Sequence, residues 1–77
     1  MIQRVIKWRL KNRLSQRGAS EVMRRHGLDV SMYTLQGWEQ GHRKPGKFAI
    51  QALNAFLREN PDIQDPPQYR PGPKPGA

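Results

Sequence analysis

Apolar residues in this chain come in four short blocks, recurring every three or four positions, and nowhere do more than three stand together. That spacing is helical and it excludes much else. A bilayer span needs about 20 consecutive apolar residues and a signal-peptide core about 7 to 15. No stretch shows the alternation that a half-buried strand requires. The expectation is an all-α fold with one modest core, because a domain of this size hides only about 60% of its unfolded surface. With no Cys, neither a disulfide framework nor a thiolate zinc site is available to staple it. A reducing cytoplasm is the compartment that fits.

The first helix is expected over residues 2–14, with Ile2, Ile6, Leu10 and Leu14 as its apolar stripe, Val5 beside them, and Arg4, Lys7 and Lys11 opposite. Arg9 stands against this stripe, and a partly buried Arg asks for a carboxylate partner. Ser15 to Gly18 read as a linker. Ser20 reads as the N-cap of a short second helix that turns Val22, Met23 and His26 inward and stops at Gly27. Ser31 caps a third helix over residues 32–40, with Leu35 and Trp38 facing inward and Gly41 ending it. A fourth runs over 47–59 on Ala49, Ile50, Leu53, Phe56 and Leu57, and Asn60-Pro61 closes it. Six of the seven prolines fall between Pro61 and Pro75. The division is therefore a folded domain at 1–60 and a disordered, Pro-rich tail at 61–77. No two of those prolines have the spacing of a PxxP ligand.

Charge narrows the function. The chain carries 14 Lys and Arg against 6 Asp and Glu, a net +8. Residues 1–25 hold eight of the cations with one acid, Glu21, and His42, Arg43, Lys44 and Lys47 form a second cluster. From residue 60 onward the charges balance, so the folded part is a polycation suited to a polyanion. The acid-free stretch at 1–13 also has the composition of a presequence or membrane-surface helix, but nothing spans a membrane. There is no nucleophile elbow, no phosphate-cradling Gly-rich loop, and no close pair of carboxylates in the helical part. With only two His and no Cys, no metal site or other cofactor is expected, and neither is an enzyme.

Helix, sharp joint, helix is the plan in which the second helix of the pair enters the DNA major groove. The stretch Thr34-Leu35-Gln36-Gly37-Trp38-Glu39-Gln40-Gly41-His42-Arg43-Lys44-Pro45 resembles the end of the recognition helix and the following loop in the Cro/C1-type (Xre-like) repressors. Its Trp-Glu-Gln-Gly-x-Arg-x-Pro run is the specific part. The likeness covers residues 5–61, and the last helix, ending Leu57-Arg58-Glu59-Asn60-Pro61, is similar to that of small phage and antitoxin-type regulators such as anti-CRISPR-associated autorepressors. The resemblance implies a four- to five-helix, lambda-repressor-like domain in which Leu35, Trp38 and Gly41 are structural and Glu39 pairs with a first-helix Arg at the position of Arg9. In the family the Leu-Ser-Gln run passes straight into the second helix, whose first residue is a phosphate-contacting Gln. Here Arg17-Gly18 follow Leu14-Ser15-Gln16 before the helical pattern resumes near Ser20, and the joint from Gly27 to Trp38 reads about two residues longer. That phosphate-contacting role is therefore given to Arg17 or Ser20.

Met32, Tyr33, Gln36 and Gly37 are the expected base-reading residues. Gln36 suits a bidentate contact to adenine, Met32 and Tyr33 suit thymine methyl groups, and Gly37 permits close approach. Arg17, Ser20, Thr34, Gln40, His42, Arg43, Lys44 and Lys47 are expected on the DNA backbone. The function so implied is a sequence-specific regulator, a phage or mobile-element repressor bound as a homodimer to a palindromic operator of double-stranded DNA. Phe48, Ala52 and Phe56 make the fourth helix apolar on more than one side and the candidate dimer surface. Two other readings stay open: an antitoxin whose tail folds onto a toxin, and an RNA-binding or protein-only adaptor.

Overall fold

The computed structural model describes residues 1–64. Among these, four α-helices and no strands are formed: α1 (Ile2–Lys11), α2 (Gln16–Arg25), α3 (Met32–Gln40) and α4 (Lys47–Glu59). None is long and apolar enough to cross a membrane. The prolines from Pro66 onward, which carry most of the tail expectation, lie outside the described residues.

The turns share one device. At the end of α1, Leu14 N–H donates to the Arg9 carbonyl and Arg13 N–H to that of Leu10, with Arg13 in the left-handed region at φ 57°. After α2, Leu28 N–H reaches Met23 and Gly27 N–H reaches Arg24; after α3, His42 N–H reaches Gly37 and Gly41 N–H reaches Trp38. Each is a Schellman closure, with a left-handed residue just past the helix. Gly27 and Gly41, at φ 86° and 81°, take that conformation without the steric penalty that a Cβ brings.

Two expectations about α1 and α2 are corrected here. α1 ends at Lys11 rather than at residue 14, and its inward residues are Val5 and Trp8, with Leu14 buried in the turn beyond. Ile2 packs partly against this core, whereas Leu10 is 61% exposed. The physical reason is arithmetic. Four residues turn a helix by about 400°, so a strict every-fourth stripe walks about 120° around the axis in three steps and cannot stay on one face.

α2 starts at Gln16, capped by Ser15, whose Oγ accepts from Gly18 N–H at 2.9 Å. There is no linker at 15–18. Gly18 is not a breaker but a tightly packed residue of the first turn, where a Cβ would lie 3.3 Å from Ser15 Oγ and 3.5 Å from Leu14 Cδ2. Ser20 is therefore interior to the helix and buried, its hydroxyl donating to the Val30 carbonyl. At the other end His26 is exposed rather than inward, its ring resting edge-on against Phe56 with centroids 5.5 Å apart.

α2 and α3 pack as a pair, with α1 and α4 closing the core around Met23, Leu35 and Leu53. The chain after α4 is held onto α1. Asn12 Nδ2 donates to the Pro61 carbonyl at 3.1 Å and Asn12 Oδ1 accepts from Ile63 N–H at 2.8 Å, with Ile63 partly buried against the core. The Lys11–Asp62 ion pair at 3.0 Å is exposed and adds little. Residues 61–63 are thus docked on α1 rather than standing apart from the four helices. A chain ending at Asn60 is expected to be about 1 to 2 kcal/mol less stable than one ending at Gln64. Parallel urea melts measure the difference, and equal midpoints would show that the docked residues contribute nothing.

Candidate nucleic-acid interface

The orientation of α3 is set by its two buried residues. Leu35 is fully buried and Trp38 nearly so, which turns Tyr33, Gln36, Gly37 and Gln40 toward the opposite side at about 100° per residue. Ser31 starts the helix: its Oγ accepts from Thr34 N–H at 3.1 Å and donates to Thr34 Oγ1 at 3.0 Å.

Below this surface lies a polar joint that ties three helices together. The Glu39 carboxylate accepts from Arg9 Nε at 2.9 Å and Arg9 Nη2 at 2.8 Å, and also from Gln16 Nε2 at 3.0 Å. Arg9 Nη1 further donates to the Leu14 carbonyl at 3.1 Å. The side chains are only 15% and 8% exposed. This is the fork-to-fork geometry in which Arg and a carboxylate match best. It joins α1, the turn after it, the first residue of α2 and the last turn of α3, so that α3 is fixed in rotation and tilt. The Arg9–Glu39 pair is the one the sequence leads to expect. Gln16 is an addition, because its place at the start of α2 depends on the Ser15 cap.

The expected base-reading residues separate in the structure. Tyr33, at 75% exposure, projects furthest, and Gln36 and Met32 are half-buried. Met32 and Tyr33 line an open groove of about 330 Å³ shared with Arg17, Glu21 and Arg24 of α2. Gly37 does not open α3 to a close approach. The aliphatic stem of Arg43 folds back over it, and a Cβ at Gly37 would lie 3.2 Å from Arg43 Cδ and 3.3 Å from Cγ. The Gly37 carbonyl also accepts from the N–H groups of both His42 and Arg43. The glycine makes room for an arginine, a contact between residues six apart that helix periodicity does not reveal.

Among the expected backbone contacts, Arg17, Gln40, His42, Arg43, Lys44 and Lys47 are all exposed. The last four adjoin α3, in the connection that follows it and in the first residue of α4. Ser20 is not available, being buried in α2. Thr34 is engaged in the α3 cap and lies about 100° around the helix from Tyr33. The α1 cations also fall elsewhere: Arg4, Lys7 and Lys11 line an open groove of about 520 Å³ with Trp8, Leu57 and Pro61. Arg4 there donates to Asn54 Oδ1 at 2.9 Å. The polycation of the sequence is therefore divided over two faces, one built on α3 and one on α1. No protein-family model matches the chain, and neither does any curated protein or any solved structure.

Proposed function

We propose that this chain is a sequence-specific, double-stranded-DNA-binding transcriptional regulator that works by binding rather than catalysis, as a homodimer on an inverted repeat. A phage or mobile-element autorepressor is the kind of regulator meant. One observation carries the reading. The outward residues Tyr33, Gln36 and Gln40 of α3 adjoin the exposed cations His42, Arg43, Lys44 and Lys47, and the Glu39 joint holds that helix rigid. A rigid helix with polar and aromatic reach, bordered by cations, is what groove reading with phosphate positioning needs. Arg17, in the first turn of α2, extends the same chemistry across the α2–α3 groove.

Selection of bound duplexes from a random pool tests the proposal directly. A palindromic consensus is expected; a pool that stays random, or preferential capture of RNA over duplex DNA, would remove it. Within a selected operator the roles divide. Gln36→Ala is expected to weaken binding by about 1 to 3 kcal/mol and to relax preference at one symmetric position. Lys44→Ala is expected to weaken all sequences alike and to reduce the salt slope by roughly one for each phosphate that Lys44 neutralises. Titrations of each variant against single-base operator variants at several salt concentrations separate the two. Should Lys44→Ala alter base preference, or Gln36→Ala leave it unchanged, the outward face of α3 has been assigned wrongly.

A further inference from the structure

Arg43 is set apart from the other cations of the connection after α3. Its Cδ, Cγ and Cβ stand 3.2, 3.3 and 3.7 Å from the position that a Cβ on Gly37 would occupy. The stem therefore runs along the outer surface of α3, and the carbon next to the guanidinium is the one closest to the helix. The main chain is tied to the same residue, since Arg43 N–H donates to the Gly37 carbonyl at 3.2 Å. Arg43 is exposed, and among the described residues no acceptor engages its guanidinium. Its neighbours His42 and Lys44 are exposed in the connection itself.

Where that stem runs decides what the guanidinium meets. At about 100° per residue, Tyr33 and Gln40 hold the middle of the outward face of α3, with Gln36 on one flank and Gly37 on the other. Arg43 thus supplies, from the connection, the side chain that Gly37 lacks. We propose that Arg43 is a base-reading residue, its guanidinium donating to O6 and N7 of a guanine in the major groove from the Gly37 flank of α3. The proposal rests on the DNA-binding reading and moves Arg43 from phosphate positioning to sequence reading. A phosphate contact tolerates a cation in many positions, so it gives no reason for a glycine in the middle of α3, where alanine makes the more stable helix. The paired acceptors of guanine, by contrast, match the planar fork of an Arg only when that fork is held on the face that enters the groove. A stem already laid against Gly37 also loses less rotamer freedom on binding.

Binding of variants to the operator selected from a random pool, and to its single-base variants at several salt concentrations, tests the assignment. The operator is expected to carry a guanine at a symmetric position distinct from the one that Gln36 reads. Arg43→Ala is expected to lose preference for that guanine by about tenfold or more, the discrimination of one bidentate pair. Gly37→Ala crowds the Arg43 stem and is expected to lose the same preference. It should melt no lower than the parent, because alanine is the better helix former and the exposed stem can move aside. In an Arg43→Ala background, Gly37→Ala is expected to change preference no further, which separates displacement of Arg43 from a clash between the new methyl group and DNA. An Arg43→Ala variant that weakens every sequence alike and lowers the salt slope, a Gly37→Ala variant that keeps the guanine preference, or losses that add in the double variant overturn the proposal. Each of these leaves the DNA reading intact, because a palindromic operator has by then been selected; a pool that stays random removes that reading and the proposal with it.

Discussion

Replacing Glu39 by alanine is expected to destabilise the fold by about 3 kcal/mol or more, the cost of stranding a largely buried cation. The carboxylate accepts two hydrogen bonds from Arg9 and one from Gln16. Without it, Arg9 keeps only the Leu14 carbonyl as a partner. For a domain of this size, 1 kcal/mol corresponds to roughly 4 to 8 °C, so the melting temperature should fall by roughly 12 °C or more. Thermal melts of Glu39→Ala, Arg9→Ala and the double variant complete a cycle. The double variant is expected to be much less destabilised than the sum of the singles, because removing both partners leaves no unpaired charge. If Glu39→Ala melts like the parent, or if the two singles add, the pair is an ornament of the surface and not the joint that fixes α3.

That joint also marks how far the sequence alone can be read. Arg9 interrupts an apolar stripe, and an interrupted stripe asks for a counter-charge wherever it lies in the chain. α3 and α4 are legible for a similar reason: Ser31, Gly41 and Asn60-Pro61 are strong local signals flanking an apolar pattern that keeps to one face. The start of α2 is not. Ser15 and Ser20 are both good caps, and Gly18 between them looks like a break. The choice is made by packing: Gly18 lies against Leu14, and the Ser20 hydroxyl finds the Val30 carbonyl ten residues away. Local signals consequently put Ser20 on the surface, and they make Gly37 an opening because the return of Arg43 depends on the α3 closure. The docking of Ile63 is invisible for the same cause on a longer scale, its partner Asn12 lying 51 residues earlier. Departures concentrate where a contact made by the folded chain overrides local propensity; in α3 the buried pair Leu35 and Trp38, three apart on one helix, still sets which side faces outward, although Arg43 covers Gly37 on that side.

Trp8 is the residue that periodicity passes over, and its removal is expected to have the largest effect on the fold. It is buried, meets the Phe56 ring edge-on with centroids 5.1 Å apart, and donates from Nε1 to the Asn60 carbonyl at 2.7 Å. That carbonyl stands just past the last turn of α4, so one side chain both fills the core between α1 and α4 and fixes where α4 ends. Trp8→Ala is expected to cost about 3 to 5 kcal/mol. At roughly 0.05 to 0.15 kcal/mol per residue a domain of this size holds about 4 to 12 kcal/mol in total, so this variant should lose a large share of its stability and unfold at a much lower urea concentration. Trp8→Phe keeps most of the ring contact and removes only the hydrogen bond, which is expected to cost about 1 to 2 kcal/mol. Urea melts followed by the fluorescence of Trp38, itself buried in α3, read both variants without interference from the substituted position. A Trp8→Phe midpoint equal to the parent's would mean that the bond to Asn60 contributes nothing. A Trp8→Ala loss under about 1 kcal/mol, far below the usual range for a buried aromatic, would mean that α4 is held by Leu53 and Leu57 and that the contact with α1 is incidental.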